Sequence, residues 1–524
     1  MKHRLSVFRK PAALLLIIAL IVCSAAFSYA WDEYHDQIGY GGYQYSASEL
    51  LYYVVTETGT AVIAGPSDFD LYTESYTIPE SIDGYPVTGI KDLSGNTLGA
   101  VTIPDCIRRL DGNPFAGSAV TQFTVSAEHP CFTTVDGVLL SKDGKRLIAF
   151  PDKYPAETYR IPDGVQVIGE EAFYGCEVPS VIIPDSVTDI ERGAFANYGK
   201  LTSVVIPESV NTVKGNPFAG VWTDETNPLE RVVISPDHPY LEIRDGVLFS
   251  KPDNRLICYP KTDPAEVYEI PEGTQAIADW AFYNCNNLKT VIFPDSLEEI
   301  GEDAFRDCGN LNTVELPDGL RKIGARAFYC CNELTSIQIP DGITEIAQGM
   351  FAECTQLASV TIPDSVRKIG EGAFRYCISL TTVHIPDGVT TIMPETFAGS
   401  GLTAVTIPDS VTGLTSWAFF GCQDLSSVSI PDGIKAIGPH VFHGCESLTS
   451  ITLPEGLKSI GREAFAYSGL VSVEIPESVE KIEDGAFQGA NLAKVIFQNE
   501  RIDDIGNYVF EDCPDSLVIE GAEF

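Results

Sequence analysis

The chain has 524 residues, 44% hydrophobic and 20% charged, a foldable composition but too long for one conventional core. Only 34 Lys and Arg face 73 Asp and Glu, giving a formal net charge of −39. That balance excludes nucleic acid and anionic membrane surfaces as partners, and it suits solubility or contact with basic groups and cations.

The N-terminus reads as a secretory signal over residues 1–30. Lys2, Arg4, Arg9 and Lys10 form a basic start, and Ala12 to Val22 is an apolar run too short to span a bilayer. Ser28-Tyr29-Ala30 offers small residues for cleavage, so the mature chain is expected to begin at Trp31. The competing reading is lipidation at Cys23, where the preceding Val22 is unusually bulky. A membrane contact is expected only through an uncleaved or lipidated N-terminus. Residues 31–48 are rich in Tyr and Gly and read as a flexible lead-in. Residues 49–78, containing the run LLYYVVTETGTAVIAG, read as an N-terminal cap over the first repeat.

From residue 79 to 524 the sequence repeats itself. Phenylalanine recurs at 282, 305, 328, 351, 374, 397, 419, 442, 465, 487 and 510, always in steps of 22 or 23, and a proline recurs with it ten times, from Pro271 to Pro476. One copy is LTSIQIPDGITEIAQGMFAEC, Leu334 to Cys354. The alternating L-x-x-V-x-I segment is a strand with one buried face. Proline ends it, having no N–H for a sheet ladder. Pro-Asp-Gly or Pro-Asp-Ser is turn chemistry, in which the short acid is expected to bond nearby amides. The I-G-x-x-A-F-x-x-C stretch returns the chain with Phe and Cys pointing inward. A lone coil leaves its strand edges and its Phe exposed, so the copies must stack. The fold class is a β-rich leucine-rich-repeat solenoid of about 19 coils of 22–23 residues, with a parallel concave sheet.

Two insertions, near residues 126–157 and 235–266, interrupt the period and match each other. EHPCFTTVDGVLLSKDGKRLIAFP and DHPYLEIRDGVLFSKPDNRLICYP stay 109 positions apart from His129/His238 onward. Each reads as a β-hairpin, turning at Lys142-Asp143-Gly144 or Pro252-Asp253-Asn254.

This repeat resembles the BspA-type leucine-rich-repeat family of bacterial cell-surface proteins, over roughly residues 50–520. The resemblance implies a solenoid and a role like that of adhesins and surface antigens that meet host matrix proteins or other cells. It transfers no binding residue, because the family has no fixed binding motif.

Nine of the 14 cysteines sit three residues after the repeat Phe, from Cys176 to Cys513. Stacked side chains of this kind project in parallel roughly 4.8 Å apart, poor geometry for disulfides, so they read as small buried residues. Cys106, Cys131, Cys258 and Cys330 lie off that column, and a bridge involving Cys131 stays open. His440 and His443 flank Phe442 and are the nearest thing to a metal site, but they read as neighbours of a buried Phe on a solvated return segment. No metal and no cofactor are expected. The acids that follow the repeat prolines, Glu80 to Glu477, line one edge and read as turn chemistry, the alternative being an anionic rail for cations or basic partners. No hydrolase elbow, zinc-protease motif, P-loop or dinucleotide fingerprint occurs, so no catalytic residue is assigned and the chain is not expected to be an enzyme.

Repeat solenoids commonly bind on their strand face. There the outward column Glu315, Gln338, Thr361, His384, Thr406, Ser429, Thr452 and Glu474 is the candidate partner-binding surface. The sequence points to a secreted or bacterial cell-surface monomer that presents this column to an extracellular protein or glycan, host matrix included. The alternatives are a self-associating surface-layer or matrix component and, more remotely, an enzyme accessory or inhibitor.

Overall fold

A computed structural model describes residues 43–46, 51–66, 73–196, 201, 203–219, 231–261, 263–499, 502 and 504–521. The signal segment, Cys23 and most of the Tyr/Gly-rich lead-in lie outside the described residues. The chain divides into two compact units, residues 1–154 and 155–524. The described residues form about 19 stacked β-coils and no helix.

The larger unit shows the logic of one coil. The strand Ser336–Gln338 pairs in parallel with Ser359–Thr361, in register one coil on. Ile337 between them is buried while its neighbours face solvent, as the alternation requires. The chain then turns at Pro340, whose carbonyl accepts the Ile343 amide at 3.0 Å. The same Pro bond recurs at Pro317, Pro363 and Pro386. The acid after the proline stays exposed and accepts no bond from its own turn at Asp295, Asp318 or Asp341. The turn therefore closes through the proline carbonyl, which corrects the expectation that the acid closes it. Where Ser follows, as at Ser365, its hydroxyl donates to the preceding coil's Ile343 carbonyl at 2.7 Å. Where Gly follows, the backbone comes too close for a side chain: a Cβ on Gly342 would lie 2.4 Å from the Leu320 carbonyl oxygen.

A second, shorter parallel ladder follows each turn. Glu345–Ile346 pairs with Lys368–Ile369, and Glu299–Ile300 with Lys322–Ile323. The return segment then carries the repeat Phe into the core. Neighbouring rings from Phe282 to Phe510 stack with centroids 4.7–5.8 Å apart. Burying each such ring is worth about 1.5–3 kcal/mol, and it is the next coil that completes the burial.

In the smaller unit, Leu51–Val55 and Ala61–Pro66 form an antiparallel hairpin, and Ala61–Pro66 pairs in parallel with Tyr85–Ile90. The Tyr53 hydroxyl ties it down through Gln44 at 2.7 Å and Asp83 at 3.0 Å. Ser75–Thr77 already lies in the parallel ladder, against Gly99–Ile103.

Each insertion is an antiparallel hairpin extended by one further strand. In the smaller unit it comprises Phe132–Val135, Val138–Ser141 and Arg146–Ala149; in the larger, Leu241–Arg244, Val247–Ser250 and Arg255–Cys258. Both are anchored by a fully buried histidine. His129 Nε2 meets the Pro104 carbonyl at 3.1 Å while its Nδ1 accepts the Cys131 and Phe132 amides. His238 repeats the arrangement with Pro207, Tyr240 and Leu241.

Candidate functional site

On the strand face of the larger unit, all eight candidate residues are exposed. Gln338 stands directly beside Thr361, and Thr406 beside Ser429, as ladder partners. Glu315 pairs with Ile292 and Glu474 with Ile496. Glu474 also accepts a 2.7 Å bond from the Gln498 amide. His384 and Thr452 lie in coils whose outward segment makes no strand pairing. The column thus presents one side chain per coil at roughly 4.8 Å intervals. Toward the N-terminal side of this unit three of the same outward positions are apolar and open, Ile182 at 42% exposed, Val205 at 60% and Ile292 at 47%, while Arg160 and Glu269 stand beside Ile182 and Ile292 as charged ladder partners. Ile182 and Val205 were legible from the same period.

The opposite, return edge is closed by its own bonds. Cys308 Sγ donates to the Phe282 carbonyl at 3.0 Å, and Cys331, Cys354, Cys377, Cys422 and Cys445 repeat this 25 or 26 residues apart. The cysteines are small and buried as expected, and they are also coil-to-coil donors. Ser118 does the same to Leu93 at 2.7 Å. None of the 13 described cysteines, Cys131 included, is in a disulfide. Burial pushes the Cys354 thiol up to about 12 and Cys422 up to about 11, so neither is a ready nucleophile.

The family model for the BspA type leucine rich repeat region, in six copies, matches residues 148–233, 275–403 and 390–516, more than half of the chain. The chain belongs to the BspA-type leucine-rich-repeat family. Solved structures similar to it include a leucine-rich repeat protein from Eubacterium ventriosum, 18% identical over 79% of this chain and 97% of that one, with a TM-score of 0.40. The pneumococcal vaccine antigen PcpA is 20% identical over 84% of this chain and 93% of its own, with a TM-score of 0.36. A leucine rich cell surface protein from Faecalibacterium prausnitzii is 23% identical over 78% and 94%, with a TM-score of 0.31. No curated protein matches the chain. Repeats of this kind build surfaces from stacked neighbours.

Two clusters on the return edge of these BspA-type coils join residues of neighbouring coils. The first is a buried ion network. Asp303 is 2% exposed and takes Arg326 Nε at 3.1 Å, Arg326 Nη2 at 3.1 Å, Arg306 Nη1 at 3.3 Å and the Trp280 indole N–H at 3.2 Å. Burial alone would raise the Asp303 carboxyl, but Arg326 and Arg306 overrule it and hold it below its ordinary value. The second is His440, His443 and Glu463, which sit half-buried where solvated histidines were expected. Burial lowers both imidazoles below their ordinary value, against the opposing pull of Glu463.

Proposed function

We propose that this chain is a non-catalytic extracellular binding protein that offers the strand face of its repeat to an extended protein or glycan. The observation that carries the reading is the unobstructed row from Glu315 to Glu474 together with the open Ile182, Val205 and Ile292 on the same outward positions. Small polar side chains spaced at one per coil suit an elongated ligand, and the open apolar side chains add contact area to the same face. The basic and apolar N-terminus supports export, with host matrix among the partners to try.

The test is a panel of matrix proteins and glycans offered to the wild-type chain and to a Thr361→Lys/Thr406→Lys variant. Binding by the wild type and its loss in the variant, at an unchanged melting temperature, is the expected result. Equal binding by both removes the strand face from consideration.

Self-association as a surface-layer or matrix component is the second reading. It is favoured by the strand Val518–Glu520, where Val518 is 51% and Ile519 36% exposed. Light scattering separates the two: particles that grow with micromolar concentration favour this reading, and a constant monomer mass favours the first.

A further inference from the structure

His440 and Glu463 occupy the same position in successive coils, 23 residues apart, and the His440 amide donates to the Arg462 carbonyl at 2.8 Å, which locks the two coils together there. His443 follows three residues later, its amide bonded to the His440 carbonyl at 3.2 Å. Aromatic walls fix both imidazoles: Trp417 lies 5.4 Å from His440, and Phe420 stacks on His443 at 5.0 Å. As a result both Nδ1 atoms converge on one carboxylate oxygen. Glu463 Oε2 is 3.5 Å from His440 Nδ1 and 3.3 Å from His443 Nδ1. The ligand atoms of all three residues lie within 4.8 Å of one another.

The two nitrogen–oxygen separations match those between ligand atoms around one tetrahedral ion. Tetrahedral bonds of about 2.0–2.2 Å place ligand atoms roughly 3.3–3.5 Å apart. His443 Nδ1 is buried and lies outside hydrogen-bond geometry toward the carboxylate. A bound cation would give that nitrogen a partner. The cluster belongs to a single coil pair: the coil before carries Trp417 and Phe420 at the two histidine positions, and the coil after carries Ala466 at the second. Cys445 takes no part, because its thiol donates inward to the Phe419 carbonyl at 3.3 Å.

We infer that His440, His443 and Glu463 form a three-ligand site for a divalent transition-metal ion of the zinc class, with the fourth position open to water or to a ligand from outside. Imidazole nitrogen with one carboxylate selects such ions over Ca²⁺ or Mg²⁺. The side chains keep 19%, 21% and 31% of their surface exposed, which is the opening a fourth ligand needs.

The test is a titration of the chelator-stripped full chain with Co²⁺, followed by competition with Zn²⁺. One equivalent is expected, with visible tetrahedral cobalt bands and no thiolate-to-cobalt charge-transfer band. His443→Gln and Glu463→Gln should each weaken binding at least about tenfold. Melting of each metal-free variant checks that it folds, and the Zn²⁺-induced rise in melting temperature of the wild type should vanish in both. Loss of binding in both folded variants sustains the site; if one variant fails to fold, the other decides. Absence of saturable binding by the wild type, retention of binding in a folded variant, or a thiolate band overturns it.

Discussion

The strand face and the return edge of the larger unit are built from the same coils yet behave as opposites. On the face, side chains such as Thr361 and Thr406 stand in solvent and meet only their counterparts one coil away. On the return edge, Phe374 stacks between Phe351 and Phe397, and Cys377 reaches back to the Phe351 carbonyl. One side of the coil is free to vary in chemistry because the other carries the cohesion.

The largest effects should therefore come from the return edge. Phe374→Ala empties a slot between two stacked rings and should cost about 3–5 kcal/mol, read as a lower denaturant midpoint. A loss below about 1 kcal/mol would show that the ring column is not where the coils cohere. Asp303→Ala strands the Arg326 and Arg306 guanidiniums and should also cost about 3–5 kcal/mol. Because the folded Asp303 carboxyl is held below its ordinary 3.8, its contribution is present above that pH and is lost as the pH falls through 3.8 and lower. Melting curves from pH 6 to pH 3 should thus show the gap between wild type and variant begin to narrow below pH 3.8.

The insertion of the smaller unit gives an intermediate case. His129 is held below its ordinary 6.5, chiefly by burial, so the folded state prefers the neutral ring while the unfolded chain takes up the proton. Its contribution is present above pH 6.5 and fades as the pH drops below that value. Protonation at Nδ1 would also break its two amide bonds. Between pH 7 and pH 5 the wild type should lose more melting temperature than His129→Gln, and parallel curves would remove His129 as the anchor. The smallest effect belongs to the face: Thr361→Lys should stay within about 0.5 kcal/mol of wild type. A large destabilisation there would erase the contrast between the two sides.

The period and the alternation made the strand face, the turn, the inward Phe and the hairpin insertions legible, because each has a local pattern with a physical cause. The second ladder was not legible: two residues such as Glu345–Ile346 are too short to alternate. Several left-handed positions of the return were hidden as well, since Trp280, Glu353, Trp417 and His440 hold them where other coils use glycine, as at Gly372 and Gly421. Glu463 acts on groups one coil away, and Asp303 joins Arg306 of its own coil to Trp280 and Arg326 of the coils on either side, so no motif within a single coil contains either site whole. A period of 23 laid over His440 lands on Glu463, and laid over Asp303 lands on Arg326, which is the signal that could have found them.

Gly399 carries a consequence for how such chains lengthen. The Tyr376 ring of the preceding coil lies where a Cβ on Gly399 would be, 2.4 Å from its nearest carbon, and Tyr467 and Gly489 repeat the overlap at 2.5 Å. A coil bearing a tyrosine there can be followed only by one that leaves the space empty. Gene duplication or recombination that copies one member without its successor creates a collision, so the heritable unit of growth at these places is a couple of adjacent coils.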